Sequence, residues 1–121
     1  TVVVLRGDEL LPGWYDDWVL LERERIHQLR LHALEAISDQ LLRSGRHVDA
    51  LEAALAAVKA EPLRESARRA AVRVHLAERN PTEAVREYNA FRELLHSELG
   101  VKPSTAFTGL LGPFVPGPRE P

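Results

Sequence analysis

Asp49-Ala50-Leu51 is answered thirty-four residues later by Glu83-Ala84-Val85, and Leu42 by Leu76 at the same offset. A self-similarity of that period marks a stacked helical hairpin, a unit that cannot bury its apolar face alone and so packs against its neighbours. This one feature narrows the possible folds more than any other in the chain. It favours an all-α array of hairpins over an unrelated bundle, and it predicts where small residues must stand for paired helices to approach.

The local signals agree with it. Ala, Leu, Glu and Arg, all strong helix formers, dominate the sequence. The spacing predicts a first helix from about Asp17 to Ser44, roughly 40 Å long, closed by Gly45, with Asp16 or Asp17 as its cap. Its apolar stripe reads as Trp18, Leu21, Leu29, Ala33, Ile37 and Leu41, with Leu34 and Leu42 beside it. A second helix is expected over 48–60, ended by Pro62, and a third over 64–78. A fourth is expected from Pro81 to about Leu99, stopped by Gly100, and a short fifth over 105–111. Three divisions follow: an N-terminal segment 1–11, where Thr1 to Leu5 reads as a strand or a frayed end, a helical domain 12–111, and a disordered Pro/Gly-rich tail 112–121.

The period is that of the tetratricopeptide repeat. The first unit, about 31–64, supplies Ser38, Ala50, Ala57 and Pro62 at the expected places, and the second supplies Ala84, Tyr88 and Phe91. Val72 stands where a small residue is expected and His96 stands instead of Pro, so the fourth helix runs on to Leu99. The fold class is therefore all-α, with tetratricopeptide-like helical hairpins and a long first helix.

Charge and composition exclude several functions. The 121 residues carry a net charge of -2 with a pI near 6.2, unlike a strongly basic nucleic-acid binder. There is no Cys, which rules out disulfides and thiolate metal sites. His27 and His32 lie about 140° apart around one helix, and no HExxH-type spacing exists. No Ser sits in a nucleophile elbow, and no glycine run forms a phosphate loop. Neither an enzyme nor a cofactor-dependent protein is expected. No apolar run approaches the roughly 18 residues of a membrane span, and no secretion signal is present, so the reading is of a cytoplasmic protein without membrane contact.

Two groups of residues are candidates for binding a partner. Trp14, Tyr15 and Trp18 belong to types enriched at interface hot spots. Packing of the first helix onto the repeat core is the plainer and favoured account of them, as helix capping is for Asp16 and Asp17. Arg64, Arg68, Arg69 and Arg73 lie on the third helix, where a basic stripe would meet an acidic partner or phosphate. The alternative is a solvated face balanced by Glu61, Glu65 and Glu78. A concave repeat surface would be lined by Gln40, Arg43, Arg68 and His75.

Ordered motifs carry a further resemblance. Leu10-Leu11-Pro12-Gly13-Trp14-Tyr15-Asp16-Asp17-Trp18-Val19, then Glu22-Arg23-Glu24-Arg25, Glu61-Pro62-Leu63-Arg64-Glu65 and Glu98-Leu99-Gly100-Val101-Lys102-Pro103-Ser104 together resemble the bacterial transcriptional activator domain. That domain occurs in the antibiotic regulatory proteins of actinomycetes. The resemblance covers about 10–104 and implies a tetratricopeptide-like fold without catalytic activity. It implies protein partners: RNA polymerase components and a possible homodimer. In the family a winged helix-turn-helix domain precedes this one and binds DNA; only about nine residues precede the motif here. DNA contact is therefore expected only indirectly or through a missing domain. The family also continues past the Pro-Ser with another helix, which Gly109, Gly112 and Pro113 are expected to break. The chain reads as a stand-alone, cut-down or excised activator domain. A general tetratricopeptide adaptor for a peptide or signalling partner, outside transcription, is the alternative.

Overall fold

The computed structural model describes residues 13–114, and among them all regular structure is helical. Helix α1 spans Trp14–Arg43, α2 His47–Ala60, α3 Glu65–Ala77, α4 Pro81–Leu99 and α5 Thr105–Leu111. A 3₁₀ turn over Gly112–Phe114 follows. The all-α hairpin array expected from the sequence is the observed fold. The reading of Thr1 to Leu5 as a strand or frayed end lies outside the described residues; of the tail expected over 112–121, Gly112–Phe114 form this 3₁₀ turn and 115–121 lie outside the described residues.

The chain divides into two compact units, Thr1–His32 and Ala33–Pro121. The second holds the repeats. There α2 packs on α3 and α3 on α4. Alanines make the first contact: Ala54, Ala70 and Ala71 form one buried cluster with Leu51 against it. Without side-chain bulk the two backbones come close, as the small-residue pattern requires. The larger cluster gathers Val72, Ala84, Tyr88, Phe91, Leu95, Phe107 and Leu111. Tyr88 meets the Phe107 ring edge-on at 5.0 Å between centroids, and its hydroxyl lies 2.8 Å from Thr108 Oγ1. Helix α5 thus closes the core that the α3–α4 hairpin leaves open.

The helix ends follow local chemistry. Gly100 takes the left-handed φ of +67° and stops α4. Ser104 caps α5, its hydroxyl accepting the Phe107 N–H at 3.2 Å. Gly109 does not break α5, which continues to Leu111; an exposed glycine costs a helix only about 1 kcal/mol, and the break comes at Gly112-Pro113.

Helix α1 departs from expectation at two points. It starts at Trp14, so Asp16 and Asp17 do not cap it. They lie in the first turn, where the Asp17 N–H donates to the Gly13 carbonyl at 2.9 Å and their charges face the positive end of the helix dipole. The buried side of α1 also differs from the expected stripe. Leu21, Leu29, Ala33 and Ile37 are exposed, whereas Leu31 and Ser38 are buried and Leu34, Glu35, Leu41 and Leu42 half-buried. A stripe traced through apolar residues alone passes over an inward face that includes a serine and a glutamate.

Candidate functional site

Between the C-terminal turns of α1 and the helix α3 lies an open groove of about 230 Å³. One wall is Glu35, Ser38, Asp39 and Leu42; the other is Ser66, Arg69, Ala70 and Arg73. Ser38 is fixed first. Its hydroxyl is buried and donates to the Ala50 carbonyl at 2.8 Å, tying α1 to α2. Glu35 is held from the far wall, accepting from Arg64 Nε at 2.6 Å and from the Ser66 hydroxyl at 2.8 Å. Asp39 pairs with Arg43 one turn further on. The α1 wall therefore presents carboxylates and the α3 wall guanidinium groups.

The predicted arginines divide by what they touch. Arg68 turns away from the groove into the fold. Its guanidinium donates to Glu87 at 2.8 Å and to the Pro62 carbonyl at 3.2 Å, and sits 5.7 Å from the Phe91 ring centroid. Arg64 spans from α3 to Glu35 on α1. Arg69 lines the groove and donates to Glu65 at 2.5 Å. Arg73 lines it as well and is exposed. Arg43 is exposed at the end of α1. Of the residues expected on the concave face, Gln40, Arg43, Arg68 and His75 do not line the groove. The helix phase set by Ser38 and Ala70 brings Asp39, Arg69 and Arg73 there instead. Among the acids that hold this stripe are Glu35 and Glu87, on Arg64 and Arg68, and Glu65, on Arg69.

Glu65 also receives a second set of donors. The Ser104 N–H and hydroxyl reach it at 2.9 and 2.5 Å. Burial by itself would push the Glu65 carboxyl up. The Ser104 donors, with the charge and hydrogen bond of Arg69, outweigh that and hold it below the usual carboxylate range. One carboxylate thereby joins the groove-lining Arg69 to the cap of α5. Glu35, Ser66 and this Glu65–Ser104 link escape a reading of the sequence because their partners lie on other elements. The only signal in the sequence is that Glu65 and Ser104 both close motifs by which the family resemblance is drawn.

In the other unit, Trp14, Tyr15 and Trp18 are 43%, 41% and 42% exposed. Tyr15 stacks on Trp18 at 6.4 Å between centroids and 29° between planes. His47 Nδ1 lies 4.0 Å from Glu78, and His75 Nδ1 is buried without a hydrogen-bond partner. Among the described residues, no three His, Cys, Asp or Glu side chains gather in a metal-holding group.

Comparison with known proteins gives one finding. The family model described as bacterial transcriptional activator domain matches residues 5–111. No curated protein and no solved structure matches the chain.

Proposed function

Because the chain belongs to the bacterial transcriptional activator domain family, we propose that it serves as the protein-interaction part of a transcriptional regulator, associating with itself and contacting RNA polymerase components. The family is a regulatory, non-enzymatic one. Such a domain works by recruitment: extra contact free energy raises the occupancy of polymerase at a promoter by mass action. The observation that carries this reading is the groove whose two walls bear opposite charges, presented by helices that the repeat packing holds rigid. Arg69 and Arg73 on one wall, with Arg43 near the other, form the basic contact surface. Arg64 and Arg68 hold that surface in place from within. Trp14, Tyr15 and Trp18 form a second, apolar contact surface.

The regulator is of the actinomycete antibiotic-regulatory type and works in the cytoplasm. No helix among the described residues is long and apolar enough to cross a membrane. DNA is reached through a winged-helix domain or a DNA-bound partner. The groove also favours a second reading, an adaptor that seats a peptide bearing both charge signs outside transcription. A titration of the chain against actinobacterial RNA polymerase holoenzyme, with and without promoter DNA and at two salt concentrations, separates them. Saturable binding that weakens with salt and with Arg69→Glu or Arg73→Glu supports recruitment. Absence of binding at tens of micromolar to holoenzyme, with or without promoter DNA, overturns it in favour of the adaptor.

A further inference from the structure

Helix α1 keeps a row of large apolar side chains in solvent over its first half. Trp18 is 42% exposed, Leu21 70%, Ile26 57% and Leu29 54%. Exposed apolar side chains gathered on one helix face, unlike scattered ones, mark an interaction surface. The charges between them are ordered in a way that names the occupant. Running the segment against its own reverse sets Trp18 opposite Leu29 and Leu21 opposite Ile26. In the same register Glu22 stands opposite Arg25, Arg23 opposite Glu24, and Asp17 opposite Arg30. On the face that carries Trp18 and Leu29 this register sets each Glu22 against an Arg25 and no charge against its like, while Arg23 and Glu24 point to the far side of the helix.

We propose that this face of α1 docks on the same face of a second copy, antiparallel, in that register. The proposal rests on the self-association reading above and names its surface. Antiparallel pairing is the geometry the charges require. In a parallel, in-register pair Glu22 would meet Glu22 and Arg25 would meet Arg25, and like charges facing each other disfavour that partner. Around the helix Trp18, Glu22, Arg25 and Leu29 fall on one face at the 3.6-residue period, with Tyr15 and His32 continuing it at the two ends. Glu22 and Arg25 already meet within one chain at 3.1 Å, on the exposed side of the helix. In the pair each also faces the opposite charge of the second copy. Trp18 and Leu29, between the charged pairs and the ends, supply the apolar contacts on either side of that charged centre.

The absence of Cys makes the register directly testable. The full 121-residue chain carrying Tyr15→Cys is mixed with the chain carrying His32→Cys, each with a distinct tag, under mild oxidation. Positions 15 and 32 are opposite in the proposed pair but about 25 Å apart along one helix, far beyond the roughly 7 Å Cα separation a disulfide tolerates. Mixed disulfides are expected in large excess over either symmetric one. In sedimentation equilibrium, Glu22→Arg and Arg25→Glu singly are expected to weaken the dimer at least tenfold, and the double exchange to restore it, while circular dichroism reports unchanged helix content. A chain that is monomeric at hundreds of micromolar overturns the self-association reading and this proposal with it. A dimer that ignores the charge exchanges, or that gives symmetric disulfides, overturns the register alone and leaves self-association standing.

Discussion

Gly45 and Arg79, thirty-four residues apart, hold the same left-handed backbone, with φ of +79° and +61°. The bonds around them repeat as well. Gly45 N–H donates to Leu42 O at 3.0 Å and Arg46 N–H to Leu41 O at 2.9 Å; Arg79 N–H donates to Leu76 O at 3.0 Å and Asn80 N–H to His75 O at 2.8 Å. Helices α1 and α3 therefore end in the same Schellman turn. The first unit meets its demand with glycine, whereas the second places an arginine where the Cβ crowds the backbone.

Arg79→Gly is therefore expected to stabilise the fold by about 0.5–1 kcal/mol. Gly45→Ala is expected to cost a similar amount, since a Cβ there meets no atom within 4 Å and only the backbone conformation resists it. Urea unfolding of the three proteins side by side checks both signs. Equal midpoints would show that the second turn carries no strain.

Ser38 and Val72 are the same position of the two units and are satisfied by opposite chemistry. Ser38 donates to a carbonyl, whereas Val72 lies in the apolar cluster with Ala84 and Phe91. Ser38→Ala should cost about 1 kcal/mol, one net hydrogen bond. Val72→Ser should cost more, about 2–3 kcal/mol, because a hydroxyl is buried without a partner and apolar volume is lost. Thermal unfolding of the pair orders them.

Arg68 is 8% exposed and bonded to a half-buried carboxylate. Arg68→Ala strands Glu87 and is expected to cost about 3 kcal/mol. Arg68→Met combined with Glu87→Gln should recover most of that, since the stem still packs on Phe91 and no charge is left alone. A double-mutant cycle from chemical denaturation gives the coupling. Additivity would mean that the ion pair itself contributes nothing.

The link from Glu65 to Ser104 carries a pH dependence. A carboxyl whose folded pKa lies below its unfolded value adds stability that is complete above the unfolded pKa and is lost as pH falls through the folded one. Wild type should therefore lose stability below about pH 4 more steeply than Glu65→Gln, which cannot titrate. At neutral pH the variant is the weaker of the two. The check is the melting temperature of each at pH 7 and across the acid range. Parallel curves would show that Glu65 gains nothing from its partners.

Local chemistry was enough to find the helices. Pro81 at the start of α4, Gly100 at its end and Ser104 as the cap of α5 act within one turn of themselves, and their boundaries read off the chain without knowledge of the fold. The groove was not legible in the same way. Arg68 and Arg69 are neighbours in sequence, yet one faces Phe91 and the other the groove, and a stripe of arginines on paper does not say which is which.

The sequence alone determined the period. Alanines at 50 and 84, small enough for helices to touch, spaced the hairpins thirty-four residues apart and fixed the fold class, while the ordered motifs carried the family resemblance. Tertiary structure alone decided the phase of α1 and the assignment of charges. The inward face was chosen by a serine reaching the Ala50 carbonyl and a glutamate reaching Arg64 and Ser66, bonds that a hydrophobic pattern does not contain. Burial rewards apolar area wherever it lies, but a buried polar atom must find a specific partner in space, and that partner sits on another helix.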